Sequence, residues 1–384
     1  MSTVAIPSPN GTREIALREP RKWSEHPKPF RSRMVFAAAH VVADPLANNA
    51  PGSPAAIDWD ATMRFRRHLS RFGFGIAEAM DTAQRNMGVD WPAAQELISR
   101  SAAQAADTGS RIASGAGTDH RPDATSTRQI VDAYSEQLEF VEEAGSEVIL
   151  MASRQLAATA TSAQDYRSVY DQVIERASRP VILHWLGPMF DPQLSGYWGS
   201  DDIAIATKTF VELVSDHADR IDGVKVSLLS AEHEIGLRGE LPDDVRLYTG
   251  DDFNYPDLIR GTETHHSDAL LGAFAAVAPA AAAALHALDC NDIATYDLEM
   301  NATLALSRHI FEAPTMFYKT GIAFLSWLCG HQDGFAMVGG LQSARGAIHL
   351  SRLFELANDA QLLPDPDLAT RRLGSYLTVA GAQP

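Results

Sequence analysis

Cysteine is nearly absent from this chain of 384 residues, which contains only Cys290 and Cys329. Two cysteines cannot build a disulfide framework, and such low usage is typical of a protein from a reducing compartment. The N-terminus also lacks the basic segment and apolar core of a secretory signal. The sequence therefore predicts a cytoplasmic protein.

Basic residues are scarce relative to acidic ones. The chain has 32 Lys and Arg against 49 Asp and Glu, which gives a formal net charge of -17 at pH 7. Binding to a phosphate backbone requires a basic surface, and no basic stripe occurs outside the N-terminal segment. We therefore expect no nucleic-acid partner.

No uninterrupted hydrophobic run in the sequence is long enough to predict a transmembrane helix. The most apolar segment, residues 269–288, consists largely of alanine and contains Pro279 and His286. These features favour a buried strand that continues into an alanine-rich packing helix. We expect no membrane partner.

The glycine fingerprint of a dinucleotide-binding sheet is missing as well. Gly115-Ala116-Gly117-Thr118 lies in mid-chain without a third glycine, which argues against a doubly wound open sheet. Apolar β-rich segments instead alternate with helical patterns along the chain. Eight strands are predicted, near residues 35, 76, 112, 149, 182, 224, 247 and 272.

Eight successive βα units predict a closed (β/α)₈ TIM barrel, an α/β fold, over residues 33–290. Residues 1–32 hold five prolines among mixed charges, which predicts an N-terminal arm with little helix or strand of its own. Residues 291–384 are nearly all helical in pattern. We expect them to form a C-terminal helical extension that packs on the barrel.

One lysine interrupts the sixth predicted strand. Lys225 lies between Val224 and Val226, where a strand that is buried on both faces would continue apolar. Burial disfavours the ammonium form and lowers the pKa, so that the amine becomes able to attack a ketone. The alternative is that Lys225 extends its amine to solvent at a strand end.

Six segments carry a family resemblance: Arg111 to Gly117, Arg179 to Leu183, Asp222 to Lys225, Tyr248 to Asp252, Leu270 to Pro279, and Tyr318-Lys319-Thr320-Gly321 in the helical tail. In order and spacing from about residue 33 to 290, and in the tail, they resemble the dihydrodipicolinate synthase / N-acetylneuraminate lyase superfamily. The resemblance implies a TIM barrel in which a strand-six lysine, here Lys225, forms a Schiff base with a 2-keto acid. It also implies a homo-oligomer, dimer or tetramer, and the lysine chemistry needs no cofactor.

Two departures from the family pattern affect the predicted site. The family's Gly-Thr-Thr-Gly-Glu loop after strand two corresponds here to a segment with Asp81 and Thr82. Asp81 would repel a substrate carboxylate or accept hydrogen bonds from sugar hydroxyls, while Thr82 keeps a hydroxyl. At the end of strand five, His184-Trp185 replaces the proton-relay tyrosine. We expect His184 to act as the general acid or base.

Further residues at the same ends of the strands are candidate substrate contacts. Arg154, after strand four, offers an anion contact, or pairs with a surface acid instead. An aromatic loop after strand five is longer than a barrel connection needs, and either a polyol substrate or an oligomer contact would explain it. The predicted substrate-binding set is Asp81, Arg154, Trp185, Tyr197, Trp198, Asp251 and Asp252.

Two other functional classes remain open. Histidine and aspartate side chains near strand ends could hold a divalent metal for a metal-dependent aldolase, although their spacing matches no compact ligand motif. A barrel that only binds a ligand is the other alternative. The main prediction is a Schiff-base lyase, aldolase or dehydratase without bound metal, acting on a small keto acid or keto sugar. The possible metal ligands are His184, Asp251, Asp252, His265 and His266.

Overall fold

Eight parallel strands form a closed barrel in the computed structural model, which describes residues 3–262 and 264–383. Each strand pairs with its neighbours in the sequence, and the eighth closes the barrel against the first. The predicted TIM barrel is therefore confirmed. The strands are β1 (Val35–Ala38), β2 (Gly75–Glu78), β3 (Ile112–Ala116), β4 (Glu147–Leu150), β5 (Val181–Leu186), β6 (Ile221–Ser227), β7 (Arg246–Thr249) and β8 (Asp268–Leu271).

Helices follow the strands and cover the outside of the barrel. Many begin at a side chain that accepts a backbone N–H, as Asp58, Asp90 and Ser126 do. The helices are α1 (Trp59–Arg71), α2 (Trp91–Thr108), α3 (Thr127–Glu143), α4 (Arg154–Thr159), α5 (Ala163–Arg176), α6 (Ile203–Asp216), α7 (Ala231–Arg238), α8 (Tyr255–Arg260), α9 (Ala273–Asp289), α10 (Ile293–Ile310), α11 (Tyr318–Leu328), α12 (Ala347–Asp359) and α13 (Pro366–Val379).

The strands are short and almost completely buried, because helices cover one face and packed side chains fill the other. Inward-facing residues from different strands form one apolar cluster inside the barrel, with β7 contributing a tyrosine. Its buried members on the strands include Phe36, Ala77, Ala113, Ile149, Ile182, Tyr248 and Leu270.

The N-terminal segment corrects one prediction. Thr3–Ser8 and Gly11–Ala16 form an antiparallel two-stranded hairpin, although proline content predicted little regular structure there. The hairpin packs on α12, and the Asn358 side chain bonds the backbone of Ala16 and Arg18. Most of the prolines in residues 1–32 follow the hairpin in the sequence. The prediction used the composition of the whole segment and therefore missed the alternating pattern of the hairpin residues.

The eighth strand also lies earlier in the chain than predicted. The sequence predicts the eighth strand near residue 272, but β8 ends at Leu271 and α9 begins at Ala273. Pro279 lies inside this helix, and the backbone departs from helical geometry at Val277. No helix in the described part of the chain is both long and apolar enough for a membrane span.

The last helices bring the tail of the chain back to the barrel. Helices α10 and α11 pack against α9, and α11 also contacts α12 and α13. As a result the first turn of α11, which begins at Tyr318, lies at the carboxyl ends of the strands. Residues far apart in sequence therefore share one mouth of the barrel.

Candidate active site

Lys225 lies near the carboxyl end of β6 and points into the barrel. It pairs in register with His184 of β5 and Tyr248 of β7. Side chains alternate along a strand, so Val224 and Val226 face the surrounding helices, where both are fully buried. The apolar neighbours that marked this lysine in the sequence are therefore the outer face of the strand.

A small cavity with about 10 Å³ of free volume lies beside Lys225 at the carboxyl end of the barrel. Catalytic groups in TIM barrels lie at this end, where residues from several strands converge. The cavity has room for about one water molecule, so side chains on its wall have to move for a substrate to enter. It is lined by Met80, Asp81, Thr82, Leu186, Phe190, Lys225, Ser227, Asp252, Gly272 and Tyr318.

The amine of Lys225 is buried without a close partner. The side chain is 7% exposed, and burial lowers its pKa, although the charges of Asp81 and Asp252 oppose that shift. Within residues 3–262 and 264–383 the amine makes no hydrogen bond or ion pair. A buried amine of this kind is neutral more often than an exposed one and is free to attack a carbonyl.

Two carboxylates share the cavity with Lys225. Oδ1 of Asp252 accepts a hydrogen bond from the backbone N–H of Ala273 at 2.8 Å, at the start of α9. Burial nevertheless raises the pKa of Asp252 to about 7, so that this carboxyl can carry a proton near neutral pH. Oδ2 of Asp81 is buried and has no hydrogen-bond partner in the part of the chain that the structure describes.

Thr82 and Tyr318 form a hydrogen-bonded pair on the cavity wall. Their hydroxyl oxygens lie 2.8 Å apart, and the Tyr318 ring stacks on Phe311 with centroids 4.4 Å apart. Burial, followed by the charge of Asp81, raises the pKa of Tyr318 well above its ordinary value. Tyr318 therefore keeps its proton and acts as a hydroxyl donor.

Ser227 connects the cavity to His184. Nε2 of His184 lies 3.3 Å from Oγ of Ser227, whereas its Nδ1 is buried without a partner among the described residues. Burial, followed by the Lys225 charge, lowers the pKa of His184 well below its ordinary value. His184 is therefore neutral near pH 7 and reaches the cavity only through Ser227, and its predicted role as general acid or base stays a prediction.

Gly250 allows the close approach of β6 and the segment after β7. A Cβ atom at this position would lie 2.2 Å from Oγ of Ser227 and 3.1 Å from Cε of Lys225. Only glycine leaves room for both side chains in their present positions. The segment that follows β7 thus limits the positions that the Lys225 side chain can take.

Arg154 and Asp251 are not where the sequence predicted them to act. Arg154 Nε donates to Oδ2 of Asp191 at 2.6 Å, which realises the alternative of a structural ion pair. The Asp251 carboxylate accepts from the backbone N–H groups of Phe253 and Asn254 and thereby closes a turn. Neither side chain lines the cavity beside Lys225.

The predicted aromatic contacts are also placed elsewhere. Trp185 faces outward, because its neighbours on β5 face inward, and it packs on Phe210 at 5.1 Å between ring centroids. The Tyr197 hydroxyl accepts from the backbone N–H of Ser153 and contacts the Tyr170 hydroxyl. Trp198 is fully buried against helices α5 and α6. Tyr197 and Trp198 thus pack the loop onto α5 and α6. Trp185 and Tyr197 also line a second pocket next to Leu186, so the predicted substrate contacts of these aromatics stay predictions.

The candidate metal ligands do not converge either. His265 and His266 are exposed and precede β8, at the amino end of the barrel. His184 lies inside the barrel and Asp251 closes its turn. In the part of the chain that the structure describes, none of the five belongs to a group of three side chains at metal-ligand distances.

The sequence did not identify Tyr318, Ser227 and Phe190 as site residues. Ser227 lies two positions after Lys225, so strand alternation would place it on the same face. Tyr318 comes from a helix in the tail, and its segment was noted only for its family resemblance. Phe190 follows a loop whose path the sequence does not determine.

A family model described as protein of unknown function (DUF993) matches residues 4–382. No curated protein matches the chain. Among solved structures, YagE, a prophage protein of the dihydrodipicolinic acid synthase family from E. coli solved in complex with pyruvate, is 15% identical with a TM-score of 0.65. That match covers 86% of this chain and 99% of YagE.

Dihydrodipicolinate synthase from Aquifex aeolicus is 12% identical, also with a TM-score of 0.65, and the match covers 86% of this chain and 99% of that one. The predicted resemblance to this superfamily is therefore confirmed for the fold. At such low identity the likeness does not extend to the reaction.

Proposed function

We propose that this chain, which belongs to the DUF993 family, is a class I lyase in which Lys225 forms a Schiff base with a small keto compound. The observation that carries the proposal is a buried amine beside two carboxylates in a cavity at the carboxyl end of the barrel, with no hydrogen-bond or ion-pair partner in the described residues. A buried lysine is costly, and a neutral amine in a cavity is suited to imine formation. The fold shared with the synthase structures supports the same reaction class.

The proposed reaction begins with attack of the neutral Lys225 amine on the keto carbon. A carbon–nitrogen bond forms, and the carbonyl oxygen takes up a proton from Asp252, whose raised pKa makes it a donor near neutral pH. One proton of the attacking nitrogen then passes through the Asp252 carboxylate to the hydroxyl, which leaves as water, and a protonated imine results. The protonated imine withdraws electrons, so a substrate with a β-hydroxyl can undergo carbon–carbon cleavage: the hydroxyl gives its proton to the Asp252 carboxylate, an aldehyde leaves, and the electron pair forms an enamine. In a dehydration the Asp252 carboxylate instead takes a proton from the carbon next to the imine to give the enamine, which then expels the β-hydroxyl as water with that proton.

The acids in the cavity favour a particular kind of substrate. Asp81 Oδ2 is a buried acceptor without a donor in the described residues, so a substrate hydroxyl would satisfy it. A substrate carboxylate in the same place would be repelled. We therefore propose a hydroxyketone or keto sugar in preference to a 2-keto acid such as the pyruvate bound to YagE.

Borohydride reduction tests this proposal. The protein is incubated separately with hydroxyacetone, dihydroxyacetone and pyruvate, reduced with borohydride, and its intact mass is measured. We expect a stable mass increase equal to one reduced adduct, with the hydroxyketones labelling faster than pyruvate. If no carbonyl compound labels the folded protein, the Schiff-base proposal fails. If pyruvate labels fastest, only the proposed preference for hydroxyl groups fails.

The Thr82–Tyr318 pair gives a separate prediction. Tyr318→Phe removes one hydroxyl and keeps the ring that stacks on Phe311, so we expect adduct formation to slow by roughly 10²-fold. The reason is that the pair offers its hydroxyls to the carbonyl oxygen as its charge develops. Time courses of reduced adduct measure the effect. Tyr296→Phe, which removes a buried hydroxyl bonded to the Pro256 carbonyl away from the cavity, should leave the rate unchanged.

A further inference from the structure

Three side chains in the C-terminal helices form a compact set of metal-ligand donors outside the barrel mouth. His309 lies at the end of α10, Glu312 follows in the turn toward α11, and His349 lies in the first turn of α12. One donor atom from each residue lies within 4.8 Å of the other two. The set therefore joins two helices and the turn between α10 and α11.

The hydrogen bonding of His309 determines which of its ring nitrogens is free. Nε2 lies 2.9 Å from the carbonyl oxygen of His349, and this contact requires a proton on Nε2. In the neutral ring Nδ1 then carries a lone pair, yet it lies 3.4 Å from Oε2 of Glu312. Two electron-rich atoms face each other there, and a bound cation would satisfy both. Histidines that ligate a metal commonly donate their other ring nitrogen to a backbone carbonyl in this way.

His349 approaches the same carboxylate from the other side. Its Nδ1 lies 2.9 Å from Oε1 of Glu312, and its ring stacks on that of His309 with centroids 4.0 Å apart. Nε2 of His349 is buried and has no partner in the chain as described. Bonds of 2.0–2.1 Å to a tetrahedral ion place neighbouring ligand atoms about 3.3 Å apart. The two separations between a histidine Nδ1 and an oxygen of Glu312 are 3.4 and 2.9 Å.

We propose that His309, Glu312 and His349 bind one divalent transition-metal ion, with Zn²⁺ as the representative ion. Two imidazoles and one carboxylate form a donor set that suits zinc and disfavours the harder Mg²⁺. The Glu312 side chain is 49% exposed, so the ion has a route from solvent and a fourth position for water. The Arg345 guanidinium lies nearby and donates hydrogen bonds to the backbone carbonyls of residues 312–314. The Glu312 carboxylate offsets its positive charge.

The proposed ion would fix the turn that supports part of the cavity. Phe311, which stacks on Tyr318, lies between His309 and Glu312 in the sequence. A metal that joins α10, the turn and α12 would hold this ring in place. The site itself contains no group of the proposed Schiff-base chemistry, so the two proposals stand or fall separately.

Metal binding to the full chain tests the proposal. The protein is freed of metal with a chelator, and Zn²⁺ and Mg²⁺ binding are measured by calorimetry together with the melting temperature. We expect one Zn²⁺ per chain, a melting temperature that rises with Zn²⁺, and no effect of Mg²⁺. His309→Ala and Glu312→Gln should each weaken Zn²⁺ binding by at least about tenfold.

Glu312→Gln is the sharper variant, because an amide oxygen can still accept a hydrogen bond from His349 but carries no charge. The matched control is His265→Ala, which removes an exposed histidine at the amino end of the barrel and should leave Zn²⁺ binding unchanged. Absence of stoichiometric Zn²⁺ binding would overturn the proposal. The two histidines would then only be hydrogen-bonded or close to Glu312, without a metal. Equal binding by wild type, His309→Ala and Glu312→Gln would overturn the proposal as well.

Discussion

Substitution of Lys225 by methionine is expected to abolish the borohydride-reducible adduct, because the attacking amine is removed. Loss of a covalent nucleophile lowers turnover on the order of 10⁴-fold or more. Methionine has a similar length, and a buried thioether carries no desolvation penalty comparable to that of an ammonium. We therefore expect the melting temperature of Lys225→Met to equal or exceed that of wild type. Adduct formation and thermal denaturation measure the two effects.

Lys319 provides a matched control for this experiment. It is also buried, and burial lowers its pKa to about 8, but its Nζ donates to the Met316 carbonyl at 3.1 Å and does not line the cavity. Lys319→Met should therefore keep the adduct. Labelling of Lys225→Met at the wild-type rate would show that the nucleophile is assigned wrongly. A barrel that only binds its ligand would give no adduct with either variant or with wild type.

Asp252→Asn is expected to have the second largest effect. The amide keeps an acceptor for the backbone N–H of Ala273 but cannot donate the proton that the carbonyl oxygen needs. Removal of a general acid lowers rates by about 10²- to 10⁴-fold. Wild-type labelling should also fall as pH rises above about 7, where Asp252 loses its proton, and the variant should lack this limb. A pH series of labelling rates checks both statements.

The same substitution has a predictable effect on stability. The pKa of Asp252 is raised from 3.8 to about 7 in the folded chain, so the folded state binds more protons than the unfolded state between these values. The stability that this group contributes is full below about pH 4 and is lost as pH rises through 7. As pH rises over this range, the melting temperature of Asp252→Asn should therefore increase relative to that of wild type. An unchanged difference between the two melting temperatures would contradict the raised pKa of Asp252 in the folded chain.

The barrel was predictable from the sequence because each strand is a short apolar segment followed by a helix with its own start signal. Asp58, whose side chain caps α1, is one such signal. The errors occurred where two signals compete. Prolines outweighed the alternating pattern of the hairpin, and residues 272–277 are equally apolar in a strand or in a buried helix. The expected homo-oligomer, the cytoplasmic location and the division of the chain at residues 33 and 291 stay predictions.

The site was only partly predictable. Lys225, Asp81, Thr82 and Asp252 line one cavity, as their positions at strand ends indicated. The outward direction of Trp185 followed from strand alternation but was outweighed by its position at the strand end. The partner of Arg154 could not be found, because tertiary ion pairs leave no local pattern. Tyr318 reaches the cavity through helix packing, which the sequence does not specify.

Peptide mapping of the reduced adduct tests the central claim most directly. The chain has only five lysines, at positions 22, 28, 208, 225 and 319, so a digest followed by tandem mass spectrometry assigns the modified amine without ambiguity. We predict that the adduct lies on Lys225 alone at low ratios of carbonyl compound to protein. An adduct on Lys319, or one distributed evenly over the exposed lysines, would contradict the proposed mechanism.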